Sequence, residues 1–145
     1  MNFKTLRLGF ESLERENDSD HKVSKDSLQI CINNLRQAGF GNENIAVYVL
    51  MGLPKQPLEE VDRTLEFVHK CGAQIRIAQY SPVPGSADFL KLAEQYPEIV
   101  SEPLLHNKSI YYCGSAKFNN FEALKLKAKE LNSTLLTSIN QPKSL

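Results

Sequence analysis

The run Asn44-Ile45-Ala46-Val47-Tyr48-Val49-Leu50-Met51-Gly52-Leu53-Pro54 decides the fold. Its apolar centre, Val47 to Met51, mixes β-branched and aromatic residues and has turn formers on both sides, the pattern of a strand buried on both faces in a parallel sheet. One helical pattern ends before it at Gly39, and another follows, opened by Pro57 and closed at Gly72. A further extended run, Gln74 to Tyr80, comes next. Alternation of this kind marks βαβ units, in which a helical crossover of a dozen or so residues joins parallel neighbours. The segment predicts an α/β fold.

Towards the N-terminus, Phe3 to Phe10 has the β-rich composition of a first strand. The charged, aperiodic stretch Glu11 to His21 reads as a surface loop. Ser24 suits a helix N-cap because its hydroxyl accepts from free first-turn amides, and Leu28, Cys31, Ile32 and Leu35 follow at helical spacing. Gly39 provides the left-handed residue that ends that helix.

Beyond the central run, Pro57 fits a first helical turn, having no amide hydrogen to leave unpaired, and Glu59 and Glu60 complement the helix dipole. Val61, Leu65 and Val68 make the inward stripe, and His69 reads as a surface or capping residue in the last turn. The prolines and glycine of Ser81 to Ser86 fix a rigid turn, after which Ser86 caps a short helix from about Ala87 to Tyr96. Glu98 to Ser115 reads as ordered but irregular, with His106 and Asn107 pinning it by hydrogen bonds. From about Asn119 to Ser138, Phe121, Leu124, Ala128, Leu131 and Leu135 recur every three or four residues, which predicts a terminal amphipathic helix of about twenty residues.

The 145 residues fit one domain of common size. With 17 basic and 17 acidic side chains the net charge is zero, so no general attraction for nucleic acid or anionic membrane is expected. No apolar run approaches the roughly 20 residues that span a bilayer, and MNFKTLRLGF lacks a signal-like apolar stretch, which predicts a cytoplasmic protein. Cys31, Cys71 and Cys113 lie about forty residues apart with no CxxC or CxxxCxxC spacing, so no local metal or cluster site is encoded. Cys31 and Cys71 read as small buried hydrophobes, and Cys113 sits in a polar stretch.

In parallel α/β folds the loops beyond the carboxyl ends of the strands gather at one rim. Here these are Gly9 to Ser12, Met51 to Pro54 and Tyr80 to Gly85. Their glycines and prolines serve either to let backbone approach a ligand or simply to turn the chain from strand to helix.

The order RLGFES, then YVLMGLPKQPLEEVDRTLEFV, then QYSPVPGSADF resembles the carboxyl-terminal half of the radical S-adenosylmethionine enzymes, especially the branch with cobalamin-binding and methylthiotransferase-like members. The resemblance covers about residues 3 to 90, and PLLHNKS at Pro103 to Ser109 is similar to a segment that follows in that family. It implies a partial (β/α) half-barrel of about three parallel strands with flanking helices over residues 1–96, on which residues 97–145 add the irregular segment and terminal helix. It also implies that Glu11 and Ser12 face the ribose and methionyl part of S-adenosylmethionine, with Arg7 beside them. Gly52 would lie at the adenine, and Tyr80 and Ser81 at its edge. Apart from the resemblance, Glu11 is equally a solvated loop acid and Tyr80 a half-buried strand end.

The family's first three strands and its CxxxCxxC loop have no counterpart in the sequence, so a four-iron cluster is not expected in this chain, and no residue is assigned as catalytic or as a metal ligand. The chain is then expected to be a truncated gene, a fragment, or one of two separately encoded halves. Its bare inner sheet face is expected to be covered by a homodimer, a partner chain or the terminal helix folding back. The competing readings are a non-catalytic interaction module, and a small α/β protein binding a phosphate-containing nucleotide, the last without a GxGxxG or GxxxxGK[ST] loop to support it.

Overall fold

Residues 45–51 form the middle strand of a three-stranded parallel sheet in a computed structural model that describes residues 3–13, 23–53, 55–107 and 114–137, with backbone alone for 114–119 and 137. The strands are β1 (Leu6–Gly9), β2 (Ile45–Met51) and β3 (Gln74–Gln79), side by side in that order. The register sets Leu8 beside Val47 and Val47 beside Ile75. Paired residues of parallel strands share a face, so Leu6, Leu8, Ile45, Val47, Val49, Met51, Ile75 and Ile77 form one side. Arg7, Gly9, Ala46, Tyr48, Leu50, Gln74, Arg76 and Ala78 form the other.

The apolar side carries the helices α1 (Lys25–Gln37) and α2 (Leu58–Lys70). Leu28 and Ile32 of α1 and Val61, Leu65 and Val68 of α2 pack with Ile45, Val47, Val49, Met51 and Ile75 in one buried core. Each such side chain contributes about 1.5–3 kcal/mol through its burial, which is why the helical stripes and the strand alternation must face each other. Cys71 is buried in this core and Cys31 is half-buried.

The helix ends follow local chemistry. The Ser24 hydroxyl accepts from Ser27 N–H at 3.1 Å. Pro57 stands at the N-cap of α2, one position before the first turn expected for it, with φ −67° and ψ 143°. Its ring already imposes that φ, and the extended cap asks no N–H of it. At the other end Gly72 has φ +75°, its N–H donates to the His69 carbonyl at 2.8 Å, and the Arg36 guanidinium of α1 donates to the Cys71 carbonyl at 2.7 Å.

The central strand differs from its sequence reading in one respect. Tyr48 is 37% exposed and Leu50 half-buried, so on the side away from the helices β2 is buried only at Ala46. Only helices on both faces would hide an apolar run completely, and the amphipathic Tyr48 keeps its hydroxyl in water while accepting from Arg7 Nη1 at 3.1 Å. Strand β1 is also shorter than Phe3 to Phe10, beginning at Leu6.

After β3, Ser86 caps α3 (Ala87–Gln95), accepting from Phe89 N–H at 3.1 Å. Two 3-10 turns follow, Pro97–Val100 and Pro103–His106. Phe89, Leu92 and Ile99 form a second, smaller cluster with Tyr80, Tyr96 and Leu105 around it. His106 bonds the Ile99 carbonyl through Nε2 and meets Phe89 edge-on, and the Ser81 hydroxyl donates to the Asn107 carbonyl, so this segment is tied to itself and to the β3 rim.

The terminal helix α4 (Gly114–Thr137) begins earlier than Asn119, since the apolar stripe from which its start was read begins only at Phe121. Phe121, Leu124 and Ala128 enter the main core. On one flank Lys127 Nζ donates to Asp62 (2.6 Å) and Glu66 (2.9 Å) of α2. The helix lies along the outer side of β3 and the flank of α2, and the polar sheet face keeps Arg7, Gly9, Tyr48 and Arg76 exposed. Tyr111, Tyr112 and Cys113 lie outside the described residues. Among the described residues, no helix is long and apolar enough to cross a membrane.

Candidate functional site

The three loops that follow the strands do meet at the carboxyl end of the sheet. Leu50 N–H donates to the Glu11 carbonyl at 2.9 Å, and Tyr80 N–H donates to the Met51 carbonyl at 2.9 Å. Glu11, Leu50 to Gly52 and Tyr80 are therefore neighbours along one rim because parallel pairing is carried past the ends of the strands.

The residues singled out in sequence are not equally available there. Glu11 is half-buried. Ser12 is only 5% exposed, and the next residue, Leu13, donates its N–H to Thr64 Oγ1 of α2 at 3.3 Å, so this loop turns over the helix layer. Arg7 lies on the opposite, polar sheet face beside Tyr48, apart from Ser12. Tyr80 is half-buried against the smaller cluster, and Ser81 is held by Asn107.

Gly52 is the sharpest case. With φ +92° it takes a backbone conformation that only glycine adopts without strain. Its N–H, however, donates to Gln56 Oε1 at 2.9 Å, Leu53 N–H donates to the same oxygen at 3.2 Å, and Gln56 Nε2 donates back to the Leu50 carbonyl at 3.2 Å. A left-handed Lys55, φ +60°, helps return the chain so that Gln56 reaches these groups. One side-chain amide thus satisfies two donors and one acceptor at the end of β2. Sequence reading passed over Gln56, whose only signal is a polar residue four positions after a rim glycine.

The thiols are elsewhere. Cys71 ends α2, and burial pushes its thiol above the usual 9.0, with the Arg36 guanidinium pulling partly the other way. Such a thiol is a poor nucleophile and a poor ligand at neutral pH. Among the described residues, no group of three or more His, Cys, Asp or Glu side chains is placed to hold a metal ion.

A second polar region lies between β3 and α4, a groove of about 510 Å³ lined in part by Tyr48, Gln74, Arg76, Lys125, Lys129 and Asn132. Nothing in the sequence reading brought these residues together. No family model matches the chain, and neither the curated proteins nor the solved structures contain a match to it.

Proposed function

We propose that this chain supplies the nucleoside-holding half of a radical S-adenosylmethionine-type site and does not generate a radical alone. The observation that carries the reading is the rim itself: Glu11, Leu50 to Gly52 and Tyr80 adjoin at the carboxyl end of a parallel sheet with helices on one face and a polar, open second face. The hydrogen-bond pattern at the end of β2 agrees with it. Leu50 C=O, Gly52 N–H and Leu53 N–H receive from Gln56 one donor and one acceptor side by side, and an adenine presents the same pair on its edge. S-adenosylmethionine fits these backbone groups once the Gln56 amide swings away, with Glu11 and Tyr80 flanking it. When bound and reduced, that molecule supplies a 5′-deoxyadenosyl radical; the reductant has no ligands among the described residues.

Titration calorimetry with S-adenosylmethionine and S-adenosylhomocysteine tests the reading. A weak, saturable heat is expected, and no detectable heat at millimolar ligand overturns it. Anaerobic reconstitution with iron and sulfide is expected to give no cluster absorbance, whereas a stoichiometric four-iron cluster would contradict the assignment of a cluster-free half.

The second reading, an interaction module whose open sheet face receives a partner chain or a second copy, draws on a different observation. Strand β1 pairs with β2 alone, so its outer edge presents unpaired backbone groups among the described residues. Light scattering on the purified chain tests self-association: a dimer supports it, and a monomer at high concentration leaves only the partner-chain form, to be tested by co-purification with a separately encoded cluster-binding half.

A further inference from the structure

The charges on the two flanks of α4 are arranged differently. On the α2 side Lys127 is saturated by Asp62 and Glu66. On the β3 side Lys125 is engaged by Glu122 at 2.6 Å. Arg76 of β3 and Lys129 of α4, facing one groove from opposite walls, have no carboxylate partner among the described residues, and no acidic side chain lines that groove. In a chain of zero net charge, two unpaired cations and a third partly neutralised one converging on a concavity of about 510 Å³ are a local excess of positive potential. The volume lies within the roughly 300–1,000 Å³ usual for small-molecule sites.

The geometry points to this groove as a binding site for a phosphate-bearing small molecule, which neither the rim nor the proposed function uses. Arg76 offers a planar fork of donors suited to two phosphate oxygens, and Lys129 offers a point charge from the other wall. The same groove is lined by Gln74 and by Tyr48, the register neighbour of Arg76 on the open sheet face. The half-exposed ring gives a planar group attached to the phosphate a surface to stack on. Asn132 is committed to the backbone of Ile75, so it shapes the groove floor instead of contacting the ligand.

The inference is independent of the nucleoside reading of the rim, and its test keeps the two apart. Amide chemical shifts of the full chain are followed during titration with inorganic pyrophosphate and with ADP. Saturable shifts are expected at Gln74 to Ile77 and at Lys129 to Ser133, weakening as salt is added. Arg76→Gln and Lys129→Gln are each expected to lower the affinity about tenfold or more, while Arg76→Lys retains part of it and Lys70→Gln, on the exposed end of α2, changes nothing. Tighter binding of ADP than of pyrophosphate, lost in Tyr48→Leu, assigns an organic phosphate; equal binding assigns the phosphate group alone. No saturation at millimolar ligand, shifts confined to Gly52 and Gln56, or equal losses in Lys70→Gln and Arg76→Gln would each overturn the site. Thermal melts of the variants matching the parent establish that lost binding is not lost folding.

Discussion

Asn132, towards the C-terminal end of α4, bonds both backbone groups of Ile75: its Nδ2–H donates to the Ile75 carbonyl at 2.9 Å, and its Oδ1 accepts from the Ile75 N–H at 2.7 Å. Along β3 the even-numbered residues turn these groups toward β2, as the Tyr80 N–H does, which leaves those of Ile75 on the outer edge. The side-chain amide therefore stands where the backbone of a fourth strand would, and blunts an edge otherwise open to pairing.

Asn132→Ala removes one partner from each of two part-buried groups. The loss is expected to be about 2–4 kcal/mol, because a stranded donor or acceptor costs its desolvation as well as its bond. Faster hydrogen exchange at the Ile75 amide, beyond what the global destabilisation explains, is the local signature; an unchanged melting temperature would show that water replaces the amide without loss.

Gln56→Ala frees the Gly52 and Leu53 amides and the Leu50 carbonyl. A destabilisation of about 1–2 kcal/mol is expected, together with tighter binding of S-adenosylhomocysteine in calorimetry, since the ligand no longer competes with a tethered amide. A folded variant with unchanged or weaker affinity would remove the adenine edge from this rim.

Gly72→Ala places a methyl group on a residue with φ +75° and within 1.6 Å of the Arg36 Nη2 position. The guanidinium must leave the Cys71 carbonyl to make room. Left-handed strain and the lost helix-end bond together predict a cost of about 1–3 kcal/mol in denaturant unfolding, whereas Gly85→Ala, also left-handed but with open space around the added carbon, should cost only the strain.

Lys127 supplies a pH signature. Burial alone draws its pKa down, but the hydrogen bonds to Asp62 and Glu66 and their negative charge outweigh burial and hold it above 10.5. A cation whose folded pKa exceeds its unfolded value contributes its stability in full below the unfolded pKa and loses it as pH rises through the folded one. Lys127→Met is therefore expected to be less stable by up to about 1 kcal/mol, solvent screening keeping the figure small. The gap between parent and variant should stay constant across neutral pH and close only above about pH 10.5.

Much of the fold was legible because its signals are local. The central strand announced itself by an uninterrupted apolar run, Ser24 and Ser86 by their place before helical patterns, and Gly39 and Gly72 by theirs after them; each acts over four residues or fewer. The rim was legible as a place, since parallel βα units gather their loops at one end of the sheet. Which of its groups face outward was not. Ser12 is buried where its loop turns over the helix layer, and the way a loop turns after its strand depends on what that layer offers it.

By itself, then, the sequence determined the element order, the parallel sense of the sheet and the stripe each helix buries, because periodicity and capping are short-range consequences of backbone geometry. Tertiary structure alone decided that Asn132 closes the β3 edge from 57 residues away and that Arg76 and Lys129 share one groove. Contacts of that kind depend on where whole elements dock, and docking is driven by buried apolar area, which carries no instruction about the polar residues it brings together.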